Sequence, residues 1–313
     1  PVDPANRAVM KACGTIVYVE VEFATLKGHI PDDPERRLWG ESAQELLQSR
    51  LASYRDADIV IATDNLTVAE VVDAVAGRLH GLPRQVPVLA PSSPYPVYTG
   101  QGVLRRARRL ISRHLRPEGL FVVADERVMD LHGDLVRASL TTTPGAFMTI
   151  PQGESSKSLG VLGQVLETMA QARVNRQWAC AAVGGGVTGD IAAFASSVYM
   201  RGIPVIQVPT TLLAQVDSSV GGKTGIDLPS GKNLAGTFHQ PLLVISDTVF
   251  LTTLGHDLLR DAMSEVVKYA IVMDAPLFAY LEQASDPDYA RIVPMCVSDK
   301  AHIVSQDERE GGL

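Results

Sequence analysis

Apolar positions along the chain switch between two spacings. Within 158–172, Leu159, Leu162, Val165, Leu166 and Met169 fall on one helical stripe. Short apolar runs at 119–125, 177–183 and 201–209 end in turn residues and predict strands. From about residue 86, strands and helices alternate, which predicts a parallel sheet with helices on its faces. After Asp247 the strand pattern fades. Segments 258–272, 276–284 and 288–306 then read as helices, so a helical domain is expected from about 251.

The first 82 residues show a shorter version of the same alternation. They predict a strand at 14–21, a helix at 43–54, a strand at 57–63 and a closing helix. Val68, Val71, Val72 and Val75 mark one face of that last helix, with Asn65 and Thr67 as candidate caps. Residues 81–85 read as a linker. Two strand–helix units are too few to close a core well, so this segment is expected to be the tail of a larger α/β domain.

Composition narrows the partners. The 313 residues are 46% apolar and 20% charged, ordinary for an α/β protein. A net charge of −7 argues against a nucleic-acid partner. No apolar run reaches the length of a membrane span, and no signal peptide is read at the start. Cys13, Cys180 and Cys296 form neither a disulfide framework nor a metal spacing, which fits a reducing cytoplasm. The opening at Pro1 and the charged close at Leu313 give the chain the look of a piece of something longer.

Asp217 to Gly225, Asp-Ser-Ser-Val-Gly-Gly-Lys-Thr-Gly, ends like a phosphate-binding P-loop. The P-loop needs a glycine where Asp217 stands, and a carboxylate there would repel phosphate. Residues 210–217 also separate the preceding strand from the glycines by too many positions. Asp217 and Lys223 are therefore expected to serve another ligand.

Gly184-Gly-Gly-Val-Thr-Gly-Asp follows a predicted strand and opens a helix, where backbone N–H groups can receive a pyrophosphate. Its glycine spacing departs from the dinucleotide fingerprint, and a plain tight turn would look the same. Gln152-Gly-Glu-Ser-Ser-Lys also bridges a strand and a helix. It reads either as a ribose-binding turn or as a capping turn with surface charges. Glu265 and Lys268 share one face of a helix flanked by Met263, Val266, Val267, Tyr269 and Ile271. A surface ion pair is one reading; a cleft-facing pair with a carboxylate able to ligate Zn²⁺ is the other.

Taken in order, with Val208-Pro-Thr-Thr-Leu-Leu-Ala-Gln-Val-Asp and Gly231-Lys-Asn-Leu-Ala-Gly, these motifs resemble the 3-dehydroquinate synthases, a family of sugar-phosphate cyclases, over about 86–313. The resemblance implies a Rossmann-like NAD-binding domain at 83–250 and a helical metal and substrate domain from 251. It implies conversion of 3-deoxy-arabino-heptulosonate 7-phosphate to 3-dehydroquinate and phosphate, with NAD⁺ regenerated and Zn²⁺ or Co²⁺ bound. Oxidation at C5 acidifies the neighbouring C–H and lets phosphate leave; reduction, ring opening and aldol closure follow.

By the same resemblance, Asp217, Lys223, Lys232, Asn233, Lys268 and Lys300 act on the substrate, and Arg201 reaches a phosphate across a homodimer interface. Gln152, Gly153, Glu154, Ser155, Ser156 and Lys157 would line NAD⁺. So would Gly186, Val187, Thr188, Gly189, Asp190, Thr210 and Thr211, along with Lys223 and Lys232. Phe250, Leu251, Thr252 and Thr253 complete that set, and Glu265 is the one matching metal ligand.

Two departures stand out. The family's other metal ligands are histidines beyond Asp307-Glu-Arg-Glu-Gly-Gly-Leu313, and none of the seven histidines here matches them. The polypeptide as written is thus expected to be inactive, a fragment of an active enzyme whose continuation carries a Gly-His pair. Arg127 also stands where a small polar residue is usual, on the adenine side.

Residues 1–82 resemble the C-terminal part of shikimate kinase, on Glu35-Arg-Arg-Leu-Trp-Gly as a lid and on 45–64. Arg36 would be a lid arginine and Arg50 a carboxylate binder; solvated helix arginines are the plainer reading. A fused kinase–synthase of the shikimate pathway is the implied parent. The rivals are a deoxy-inosose or valiolone cyclase, an NAD- and metal-dependent alcohol dehydrogenase, and a non-catalytic binding module.

Overall fold

The computed structural model describes residues 3–13, 15–29, 43–64, 66–80 and 83–312. These form two compact units, Pro1–Leu82 and Pro83–Leu313.

In the first unit, α1 (Pro4–Cys13), β1 (Val17–Glu20), α2 (Phe23–His29), α3 (Ala43–Arg55), β2 (Ile59–Ala62) and α4 (Val68–His80) follow in order. The two strands pair in parallel, Val17 opposite Ile59, with Ile59 and Ile61 buried. The Thr67 hydroxyl accepts from the Glu70 N–H (3.3 Å), and the Glu70 carboxylate accepts from the Thr67 N–H (2.8 Å). This reciprocal capping box starts α4. The valine face departs from expectation: Val68 and Val72 are exposed, while Val71 and Val75 are half-buried. Arg36 and Asn65 lie outside the described residues.

The second unit opens with an antiparallel pair, β3 (Arg84–Val88) and β4 (Tyr95–Gly100). Ladder hydrogen bonding thus claims Arg84 and Gln85, which the sequence assigns to a linker. Then come α5 (Ala107–His114), β5 (Leu120–Asp125), α6 (Glu126–Leu140), β6 (Gly145–Ile150), α7 (Leu159–Gln171), β7 (Ala179–Gly184), α8 (Gly186–Val198) and β8 (Val205–Pro209). After β8 follow β9 (Lys223–Leu228), β10 (Gly231–Phe238) and β11 (Leu243–Asp247), then α9 (His256–Val272), α10 (Ala275–Gln283) and α11 (Tyr289–Gln306).

Seven strands make one sheet in the order β3-β4-β11-β8-β7-β5-β6, parallel apart from the β3–β4 pair. Capping side chains set several helix starts: Asp125 accepts from the Val128 N–H, Ser158 from Val161, Asp274 from Leu277 and Asp288 from Ala290. One sheet face packs on α5 and α6 through Val122, Leu110 and Val136. The other packs on α7 and α8 through Phe121, Met169 and Ile191. Helices α9–α11 share a third core with the β3–β4 edge, including Val88, Val97, Val266 and Val297, so they belong to the same unit as the sheet.

The hairpin β9–β10 is absent from the sequence reading. Its strands cross at Gly225 and Gly236, where a Cβ on Gly236 would sit 1.9 Å from the Thr224 carbonyl oxygen. Among the described residues no helix is long and apolar enough to cross a membrane.

Candidate active site

Two clefts open on the second unit. The first, about 410 Å³, lies at the carboxyl end of β7, where the chain turns into α8. Gly185 is the N-cap of α8 and offers no side-chain cap, so the first-turn N–H groups face the cleft unsatisfied by side chains. The turn is pressed against its surroundings: a Cβ on Gly184 would lie 2.4 Å from the Thr188 hydroxyl, and one on Gly185 3.1 Å from Thr211 Cγ2. Thr210, Thr211, Gln152 and Gly153 complete one wall; Phe250, Thr253 and His132 form another. His132 meets the Thr253 hydroxyl at 2.6 Å, and burial lowers its pKa. Arg127 and Asp125 also border this cleft, with burial holding Asp125 above its ordinary value.

Not every residue expected to line NAD⁺ borders this cleft. Ser156 is buried and donates to the Pro151 carbonyl. Leu251 packs in the α9–α11 core, and the Thr252 hydroxyl donates to the Val249 carbonyl. Glu154 and Ser155 are exposed, and Glu154 pairs with Lys232 at 3.1 Å. Gly189 packs under Gln207, 2.9 Å from its Oε1 if a Cβ were present.

The second cleft, about 560 Å³, is lined by Asp190, Asp217, Lys223, Asn233, Lys300 and Glu310, among others. Asp217 sits in a π-helical turn, Ala214–Ser218, a form that concentrates at functional sites. Lys300 Nζ reaches Asp217 Oδ1 at 2.8 Å, and the Tyr269 hydroxyl donates to the same oxygen at 3.2 Å. Burial acts to raise the Asp217 pKa, but Lys300, Tyr269 and Lys223 outweigh it and hold the carboxyl below its ordinary value. Tyr269 moves the other way, raised by burial and then by Asp217.

Lys157 is 7% exposed, pairs with Asp190 at 2.5 Å and also meets the Asn233 side chain. Burial raises Asp190 despite that lysine. Lys223 pairs with Glu310 at 2.6 Å. Asp190 therefore lines the lysine-rich cleft rather than the glycine-lined one, and Lys157, which lines neither, is paired to it.

The two clefts abut. Gly186 lines the first and Ser218 the second, and a Cβ on Gly186 would lie 3.1 Å from Ser218 Oγ. The opening turns of α8 thus front both, with Gly186–Thr188 toward one and Asp190 toward the other.

Three expected residues stand apart. Arg201 is exposed at a left-handed backbone position (φ 67°) and lines neither cleft. Glu265 and Lys268 pair with each other on α9, with Lys268 over the Tyr269 ring. They join the second cleft through Tyr269. Among the described residues no cluster of three or more His, Cys, Asp or Glu side chains is arranged to hold a metal.

Sequence reading missed several residues. Tyr269 appears there as apolar flank, yet its hydroxyl holds Asp217. Tyr95 and Gln240 carry no motif signal, and Glu308 sits in the quoted 307–313 segment without an assigned role; all three contact the segment in front of Lys223 or one another. Asp247 is fully buried and accepts from the N–H groups of Gly102, Leu104 and Val249, which fixes the turn carrying Phe250.

The fold is that of the sugar-phosphate cyclases. It is similar to a 2-deoxy-scyllo-inosose synthase (26% identity, TM-score 0.63, 73% of this chain and 65% of that one). It is also similar to the 2-epi-5-epi-valiolone synthase of Streptomyces hygroscopicus, solved with NAD⁺ and Zn²⁺ (28% identity, TM-score 0.60, 69% and 62%).

Within that class, residues 147–261 match the family model for the N-terminal domain of 3-dehydroquinate synthase. The chain is 44% identical over 230 residues to the 3-dehydroquinate synthase of Symbiobacterium thermophilum, and 46% over 228 residues to that of Rhodospirillum rubrum. The match takes 70% of this chain in both cases, and it spans 64% and 59% of those relatives.

Proposed function

We propose that the second unit is the NAD-binding and substrate-binding core of a 3-dehydroquinate synthase. It would convert 3-deoxy-arabino-heptulosonate 7-phosphate to 3-dehydroquinate and phosphate in the shikimate pathway. The observation that carries this reading is the shared wall: one helix start presents open N–H groups to a glycine-lined cleft and a carboxylate to an adjoining cleft rich in lysine.

The residues present fit a dinucleotide. Unpartnered N–H groups at Gly186–Thr188 and the hydroxyls of Thr210 and Thr211 can receive its pyrophosphate, and Phe250 supplies an apolar wall. When bound, NAD⁺ supplies reversible hydride acceptance. Lys223 and Lys300 attract the anionic ends of the substrate. Asp217, kept ionised by Lys300 and Tyr269, holds both of those side chains at the cleft. A divalent metal is a different case. Glu265 offers one carboxylate, and the described residues do not complete a coordination sphere around it. No step is assigned to a metal on this chain, and Zn²⁺ or Co²⁺ would need ligands besides those described.

The acting form is read as a cytoplasmic homodimer, with Arg201 exposed to meet a second subunit. The first unit is read as the C-terminal part of a shikimate kinase. Its parallel β1–β2 pair and a cavity of about 200 Å³, in which Arg50 lies among Phe23, Leu46, Leu47 and Tyr54, support that reading.

Calorimetry with NAD⁺ on this chain should show binding without added metal, weakened in Gly185→Ala. In the full-length protein, heptulosonate 7-phosphate should release phosphate with no net NADH. Preferential turnover of sedoheptulose 7-phosphate or glucose 6-phosphate would move the assignment to another cyclase. Net NADH would move it to an alcohol dehydrogenase. NAD⁺ binding with no turnover in the full-length protein would make it a binding module.

A further inference from the structure

Lys223 hangs from an intrinsically soft piece of backbone. Gly221 and Gly222 both take left-handed conformations, φ 108° and 70°, and such glycines lose more freedom on ordering than other residues. Three hydrogen bonds fix them. The Gly221 N–H donates to the hydroxyl of Tyr95 on β4 (2.9 Å), a side chain 1% exposed. The Gly222 carbonyl accepts from the His239 N–H (2.7 Å), and the Gly221 carbonyl accepts from Gln240 Nε2 (3.1 Å).

Gln240 does more than hold the glycine. Its Nε2 also donates to Glu308 Oε1 at 2.8 Å. The same carboxylate takes the Ser92 N–H at 2.9 Å and the Ser92 hydroxyl. Both amide hydrogens of Gln240 are thus committed to acceptors on different segments, while its Oε1 is buried with no hydrogen-bond partner among the described residues. Leaving that oxygen unmet is costly, and flipping the amide would face it toward two acceptors. The side chain fills the space beneath Gly222, where a Cβ would lie 2.7 Å from Gln240 Cδ. Burial, the largest single influence, works to raise Glu308, but the hydrogen bonds from Ser92 and Gln240 together outweigh it and hold its carboxyl below the ordinary value.

We infer that Gln240 and Glu308 are positioning residues, forming a relay from the β3–β4 turn through the segment after α11 to the glycine pair, which sets Lys223 in the cleft. Neither lines that cleft. The relay couples Lys223 to the segment carrying Glu310, its partner in the ligand-free protein. This inference rests on the proposed role of Lys223.

Amide hydrogen exchange on the intact chain tests it. Glu308 does not touch Gly221, so a local role would leave that turn unmoved. Glu308→Ala should speed exchange across 219–224 by about three- to tenfold, the worth of one hydrogen bond. Gln240→Leu should do the same, and the double variant should add little to either single change. The peptide over 184–190 should not change. In the full-length protein each variant should raise the KM for heptulosonate 7-phosphate and leave the Kd for NAD⁺ unaltered.

Glu308→Gln keeps one acceptor oxygen for the three donors. It gives an intermediate result if the relay exists, and serves in place of the alanine variant should that one not fold. Exchange at 219–224 unaffected by either Glu308 variant would overturn the relay. Lys223→Ala separates the layers: an unchanged KM in that variant defeats the role of Lys223, whereas a raised KM there with silent Glu308 variants defeats the relay alone.

Discussion

The two clefts are built on opposite plans. The glycine-lined cleft is shaped by backbone: an uncapped helix start, threonines at the end of β8 and a 3₁₀ turn fixed by buried Asp247. The lysine-rich cleft is shaped by charged side chains drawn from a π-helical turn, a hairpin, α8, α11 and the segment after it. In the first, ligand affinity rests on space and on N–H groups already pointing inward. In the second, Lys223 and Lys300 each meet a carboxylate, and Lys157 pairs with the cleft-lining Asp190. A cradle set by backbone suits a resident cofactor, and an internally balanced charge array suits an anion that must enter and leave.

The largest expected effect attacks the charge array. Asp217→Ala leaves Lys300 and the Tyr269 hydroxyl without their shared anion. In the full-length protein kcat/KM should fall by about a hundredfold or more, as for other part-buried pairs broken on one side. NAD⁺ affinity measured by calorimetry should hardly move. If both quantities fell together, the two clefts would not be separable.

The converse change is Gly185→Ala, whose Cβ would press on Thr211 Cγ2 at 3.1 Å. The Kd for NAD⁺ should rise about tenfold, the equivalent of 1.4 kcal/mol, with Asp217 titrating as before. Carbon-13 carboxyl titration should place Asp190 above its ordinary value and Asp217 below it. The reverse order would mean that Lys300 does not govern Asp217.

A smaller effect concerns the helices behind the lysine-rich cleft. Burial, and then the neighbouring Asp274 carboxylate, push Asp299 on α11 up to about 6. A carboxyl raised in the folded state favours folding while protonated. That stabilisation is present at low pH and is lost as pH rises from the ordinary carboxylate range through about 6. Asp299→Asn should therefore raise the Tm at pH 7 and leave the difference small at pH 4.

The smallest effect is expected at Glu310. Its pair with Lys223 joins side chains 62% and 51% exposed, so Glu310→Gln should not measurably change Tm. It should shift the salt dependence of anion binding by freeing Lys223.

The sheet and its helices were readable because burial on one or both sides writes a spacing into the sequence. The stripe through Leu162, Val165 and Met169 marks a real buried face of α7. The hairpin was unreadable for the converse reason. Along β10 no residue is buried, Lys232, Asn233 and Leu234 are exposed in a row, and its register depends on glycines rather than on an apolar face. At the site, residue types that carry charge signalled themselves through motif. The roles of Tyr269, Gln240 and Glu308 stayed unread, two of them inside quoted segments, because those roles depend on neighbours 52, 19 and 216 positions away in the chain. Val68 and Val72 show the opposite failure, an apolar stripe in sequence that faces solvent in the first unit.

The coil at Ala214–Ser218 is wound one residue wider than an ordinary helix. Deleting a single residue there would tighten it to the usual pitch and swing everything beyond by about 100° around the axis. The Asp217 carboxylate would then point away from Lys300 without any change in its chemistry. The direction of this carboxylate is stored in a winding number, and a one-codon deletion upstream of it would erase the direction while sparing the residue.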